Sequence, residues 1–178
     1  MSHITEEIRN ITGSLPQGVR LVAVSKFHPE SSIEEAYAAG QRIFGESHAQ
    51  ELSRKYGNLH KDIEWHFIGH LQTNKVKQIA PYVAMIHAVD SMKLLREIDK
   101  QAAKAGRVIP CLLQIHVARE ETKFGFTPDE CRRHGRRRRM EGAAARAHKR
   151  THVHGFQHRR HGTGARRNSI KPTNCSSN

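Results

Sequence analysis

The sequence predicts an α/β protein of the TIM type, a (β/α) barrel that is here incomplete, with about five β/α units. Three observations carry this. Five apolar, strand-like runs begin near residues 19, 42, 64, 84 and 110, at spacings of 23, 22, 20 and 26 residues. Those runs hold few alternating polar residues, so both faces of the sheet are expected to be covered. Helical stretches fill the gaps, and a repeat of ~25 residues is what one β/α unit of a barrel needs. On this pattern alone a five-stranded doubly wound sheet is the alternative.

The elements follow in order. Val19–Val24 reads as the first strand. Ser32-Ile33-Glu34-Glu35 has the spacing of a capping box, in which Ser32 would cap the amide of Glu35, and the helix it opens should stop at Gly40, a good residue just past a helix end. Arg42–Phe44, Glu64–Ile68, Ala84–Val89 and Pro110–Val117 read as strands two to five. Between the last two, Ser91 starts a helix that places Met92, Leu95, Ile98 and Ala102 on one face and ends at Gly106. No apolar run approaches the ~20 residues of a membrane span. The acidic start, Met1-Ser2-His3-Ile4-Thr5-Glu6-Glu7, lacks the layout of a signal peptide, so a cytoplasmic address is expected. Three widely spaced cysteines, Cys111, Cys131 and Cys175, argue for reduced thiols.

The 178 residues carry a net charge of +13. Residues 1–130 hold 16 basic and 16 acidic side chains and are neutral; residues 131–178 hold 14 basic residues and one acid, Glu141. The basic character therefore belongs to a tail, and so does any argument for nucleic-acid binding. After Cys131 the run Arg132-Arg133-His134-Gly135-Arg136 leads into Arg/His/Gly/Ala-rich sequence without apolar period. That composition predicts disorder. It is open to two explanations, a genuine basic tail or a GC-rich coding region read out of frame. The expected organisation is a partial barrel over 1–130 and a disordered tail over 131–178.

Lys26 follows the first strand by two residues, in Val24-Ser25-Lys26-Phe27-His28-Pro29. Parallel α/β folds carry their chemistry at the carboxyl ends of strands, and a lysine in such a mouth can form a Schiff base. Most strand-end lysines simply reach for water, and spacing alone does not separate the two. In Trp65–Lys77, Gly69 permits a tight turn or a close backbone approach, while Gln72, Thr73 and Asn74 could cap a helix or touch a ligand. His66 and His70 straddle a strand end without the acidic or cysteine partners of a metal site, so His66 reads as a hydrogen-bonded interior residue. Ser47, at another strand end, could cap the next helix, its blander role, or hydrogen-bond a cofactor. Cys111 should be buried.

Val22-Ala23-Val24-Ser25-Lys26, Phe44-Gly45-Glu46-Ser47, Trp65-His66-Phe67-Ile68-Gly69-His70-Leu71-Gln72-Thr73-Asn74-Lys75, Ile86-His87-Ala88-Val89-Asp90-Ser91 and Glu121-Thr122-Lys123-Phe124-Gly125 together resemble the pyridoxal phosphate homeostasis proteins. That family is similar to the N-terminal barrel domain of alanine racemase. The resemblance covers about residues 4–130 and implies that Lys26 carries pyridoxal 5′-phosphate (PLP) as a Schiff base. Family members are regarded as carriers or regulators of the cofactor without a settled enzyme activity. The implied partners are PLP itself and PLP-dependent enzymes, with no membrane and no specific nucleic acid, and a folded chain is expected to be a monomer. The family often has Asn where this chain has Ser47, so a cofactor contact there carries over less directly. The later motifs that hold the cofactor's phosphate in the family are not found, so weak cofactor binding and an unclosed barrel are expected. Three functions compete: a non-catalytic PLP carrier, a racemase-like PLP enzyme using the same Lys26, and a truncated family member whose basic tail binds nucleic acid.

Overall fold

A computed structural model of the chain describes residues 3–115, 125–127 and 130; the basic tail and its expected disorder lie outside them, as do residues 121–124 of the last motif. The described elements are α1 (His3–Ser14), β1 (Ala23–Val24), α2 (Glu30–Ala38), β2 (Ile43–Glu46), α3 (Ala49–Asn58), β3 (Glu64–Phe67), a 3-10 turn (Thr73–Lys75), α4 (Val76–Ile79), β4 (Met85–Val89), α5 (Met92–Lys104) and β5 (Cys111–Leu113). All five strands are parallel and lie in the order β1-β2-β3-β4-β5. A doubly wound sheet would reverse its order at a switch point. A sequential strand order with the usual right-handed crossover instead puts the connecting helices α2 to α5 on one face of the sheet, as in the wall of a barrel. The fold is a five-stranded parallel arc of the (β/α) barrel type.

The two faces differ as this arrangement requires. Phe44, Trp65, Phe67 and Ile86 alternate onto the helix-covered face, where they are buried with Leu52, Val76, Ile79, Leu94 and Ile98. On the opposite face Val24 remains 44% exposed. Beyond β5, Ile115 makes a parallel bridge to Phe126, and the Phe126 amide donates to the Gln114 carbonyl. The sheet thus continues toward a sixth strand position that the sequence pattern does not announce.

Helix ends obey local chemistry in three places out of four. Gly40 takes φ 100°, its amide donates to the Tyr37 carbonyl, and the Gln41 amide donates to that of Ala36. The same pair of bonds recurs at Gly106, φ 63°, with Ala103 and Ala102 as acceptors. Both are Schellman motifs, in which the left-handed residue is at no cost only if it is glycine. Ser91 caps α5, its Oγ accepting from the Leu94 amide at 3.3 Å. The expected capping box at Ser32 does not form. Pro29, at φ −66°, stands at the cap, and its carbonyl already accepts the Ser32 amide, so the helix starts before Ser32 can cap it. The first strand is also shorter than expected. Among the described residues β1 is paired on one side, with β2, and from Val19 to Leu21 it has no β2 residue opposite; the Gln41 side-chain Nε2 donates to the Leu21 carbonyl instead. β5 spans Cys111–Leu113, Ile115 bridges beyond it, and the expected end at Val117 lies outside the described residues.

Glycine substitutions separate these local effects. Gly57 lies inside α3 with open space around the missing Cβ, so Gly57→Ala should raise stability by about 0.5 kcal/mol. Gly40→Ala must place a side chain at positive φ and should lower stability by about 1 kcal/mol. Urea midpoints of the two variants check this; equal effects of one sign would contradict the assignment of the helix end.

Candidate functional site

Lys26 sits in a tight turn at the carboxyl end of β1. The Ser25 amide still donates to the Gly45 carbonyl at 3.0 Å, continuing the ladder by one residue. The His28 amide then donates back to the Ser25 carbonyl at 3.1 Å, so Ser25–His28 form a β-turn with Lys26 and Phe27 at its centre. Phe27 takes φ 66°. A positive φ at the third turn position is the signature of type II geometry, normally given to Gly or Asn. The Lys26 side chain is half-buried, and its amine has no hydrogen-bond or ion-pair partner among the described residues.

The second expected residue lies at the neighbouring strand end. Val24, Gly45, His66 and Met85 stand side by side on the face away from the helices. Ser47 follows Gly45 by two residues, as Lys26 follows Val24, so both stand just past the carboxyl ends of adjacent strands. Ser47 does not cap α3: His48 occupies the cap position without a side-chain capping bond, and the Ser47 Oγ pairs with the His48 Nδ1 at 3.2 Å. Gly69 allows the next strand end to close against Ser47. A Cβ on Gly69 would lie 2.6 Å from the Ser47 carbonyl oxygen, so the close approach expected of this glycine is what it provides. Gln72, Thr73 and Asn74 form no side-chain cap.

Behind this turn, on the helix side of the sheet, lies a buried charge cluster. Lys55 of α3 and Glu46 of β2 are both 0% exposed. The Lys55 Nζ donates to Glu46 Oε1 at 2.8 Å, to Glu51 Oε1 at 2.7 Å and to the Ser25 carbonyl at 2.8 Å. Three protons meet three acceptors, so the ammonium is saturated. Ser25 Oγ donates to Glu46 Oε1 at 2.6 Å, and the Phe27 amide donates to Glu51 Oε1 at 2.9 Å. Burial by itself would raise the Glu51 pKa; the hydrogen bonds from Lys55 and the Phe27 amide outweigh it and hold the carboxyl below its usual range. This cluster is not legible in the sequence. Glu51 and Lys55, four apart on a helix, carry the signal of an ordinary surface pair.

His66 is buried, as expected, and its partner is His87. Their Nδ1 and Nε2 atoms are 2.9 Å apart, one ring donating to the other. Burial, the neighbouring His87 and Arg20 push the His66 pKa down to about 4, and burial lowers His87 as well. His70 does not join them; its Nδ1 pairs with Asp90 Oδ2 at 2.9 Å. Cys111 is buried in β5.

Known proteins resemble this chain over most of its length. The model of the family described as alanine racemase, N-terminal domain, matches residues 1–157, beyond the boundary placed at 130 from composition. A pyridoxal phosphate homeostasis protein of Aquifex aeolicus (strain VF5) is 39% identical over 133 residues, which are 72% of this chain and 58% of that protein. One from Homo sapiens is 41% identical over 120 residues, 62% of this chain and 44% of its own length. The chain thus spans about half the length of the curated relatives it matches. Among solved structures, PipY of Synechococcus elongatus PCC7942 with PLP bound superposes with a TM-score of 0.74 at 35% identity, over 82% of this chain and 68% of that one. Alanine racemase from E. faecalis, 20% identical with a TM-score of 0.55 over 75% of this chain and 37% of that one, shares the fold.

The histidine pair makes a pH prediction. In the unfolded chain His66 takes a proton below about 6.5, whereas folded His66 resists it to about 4. Between those values the unfolded state binds more protons, so stability falls as pH falls, by up to about 3 kcal/mol. Urea midpoints across pH 4–7 should show this slope, and His66→Asn should flatten it. A native slope as shallow as that of His66→Asn would contradict the assignment.

Proposed function

The chain belongs to the alanine racemase N-terminal domain family, and from that premise we propose that it binds PLP as a Schiff base on Lys26 and holds the cofactor without turning over a substrate. The observation that carries this reading is the contrast between two lysines at one strand end. Lys55 is buried and saturated by three acceptors, while Lys26 presents an amine without a partner among the described residues at the mouth of the sheet. When bound, PLP supplies an aldehyde with which a primary amine condenses, releasing water. The residues present fit that end of the molecule: an uncommitted amine on β1, with the Ser47 hydroxyl on the adjoining strand end as a polar contact for the ring.

The same geometry favours a carrier over a racemase-like enzyme. Moving a proton on both faces of a carbon needs a second acid/base group placed opposite the first. Glu51 and Lys55 are committed to each other behind the turn. His87 lies three strands from Lys26, roughly 14 Å along the sheet, and is bonded to His66. Delivery of the cofactor to PLP-dependent enzymes is the partner role that suits a carrier.

Incubation with PLP followed by borohydride should leave one stable adduct, at Lys26, by peptide mapping, and none in Lys26→Ala. Labelling spread over surface lysines and unchanged in Lys26→Ala would overturn the site. In the same preparations, alanine racemisation should not exceed that of Lys26→Ala; turnover well above that control would make the protein an enzyme.

A further inference from the structure

We propose that Glu51 and Lys55 are positioning residues for Lys26, pinning the two peptide groups that flank it from behind the sheet. The inference rests on the reading of Lys26 as the PLP-binding residue and adds how its amine is held ready. On one side of Lys26, the Ser25 carbonyl accepts from both the Lys55 ammonium and the His28 amide, so both its lone pairs are used. On the other side, the Phe27 amide donates to Glu51. Lys55 joins the two contacts, since it also holds Glu51. The Lys26 side chain takes no part in the cluster, so the residue is fixed by its backbone while its amine stays uncommitted.

The turn needs such a hold. Phe27 occupies a left-handed conformation that costs a non-glycine residue about 1 kcal/mol. Its ring is 75% exposed, with a tilted contact to His48, so burial of the side chain does not repay that cost. The Phe27 amide bond to a carboxylate that is 16% exposed is the contact in place to do so. Glu46, fully buried, fixes the other end of the ammonium and bonds the Ser25 hydroxyl, tying β2 to the same turn. Sequence, backbone strain and charge burial therefore converge on one three-residue segment.

The test uses the full chain and two variants. Glu51→Leu removes the acceptor of the Phe27 amide but leaves Lys55 paired with Glu46; Glu51→Gln keeps an acceptor oxygen. In the chain without PLP, hydrogen exchange of the Phe27 amide should speed up about tenfold or more in Glu51→Leu and change little in Glu51→Gln. The rate of borohydride-trapped PLP incorporation at Lys26 should fall about tenfold in Glu51→Leu, recover in Glu51→Gln, and stay level at the exposed Lys93 and Lys100. Unchanged Phe27 exchange and unchanged Lys26 incorporation in Glu51→Leu would overturn the proposal. If Glu51→Leu does not fold, the native chain decides: its Phe27 amide should exchange at least about a hundredfold slower than an unstructured amide, and exchange at the unstructured rate would overturn the proposal. If instead no Lys26-specific adduct forms in the native chain, the functional reading fails, and the exchange measurement still judges the clamp.

Discussion

The Lys55 ammonium is the constraint on which the functional end of this sheet depends. Taking an ion of this kind out of water costs several kcal/mol, and it is tolerated only when geometry and hydrogen bonding are complete. Here three acceptors at 2.7–2.8 Å complete it, drawn from α3, β2 and the end of β1. Those elements must come together for the charge to be buried at all. Removal of Lys55 would leave Glu46 as an unpaired buried charge, which costs about 3–5 kcal/mol. The cluster therefore sets the relative position of the first two strand ends more tightly than the two-residue pairing of β1 could by itself.

This arrangement divides the sheet by task. The helix-covered face holds the apolar core and the charge cluster. The opposite face holds Val24, Gly45, His66 and Met85, with Lys26 and Ser47 just past the ends of β1 and β2. Ser25, which continues the β1 ladder by one residue, bonds inward to Glu46, while the Lys26 side chain takes no part in that cluster. Gly69 lets the end of β3 lie against the Ser47 backbone, a contact in which no side chain could be inserted.

Much of this was legible in the sequence. Apolar runs at 20–26 residue intervals marked all five strands, although only β2 is buried throughout and Val24 of β1 stays exposed on the helix-free face. Gly40, Gly106 and Ser91 marked helix ends, because φ > 0 and an orphan amide have few chemical solutions. What failed was chemistry with two local solutions. Ser32 and Ser47 each had capping potential, and Pro29 and His48 took those positions. What stayed hidden was pairing across the fold. Glu46 and Lys55 meet only when α3 packs on β2, and His66 meets His87 only through the β3–β4 register. The sequential strand order, which excludes the doubly wound alternative, likewise exists only in the assembled sheet.

The central claim is that one strand end holds two lysines in opposite chemical states, one saturated and buried, one uncommitted and reachable. Acetylation kinetics resolved by peptide, on the folded chain without PLP, test it most directly. Lys26 should react on the timescale of exposed lysines, and Lys55 should stay unmodified until the chain is unfolded, a difference of at least about a hundredfold. Acetylation of Lys55 in the folded chain as fast as that of Lys26 would show that the buried cluster does not exist as described, and the account of the site would fall with it.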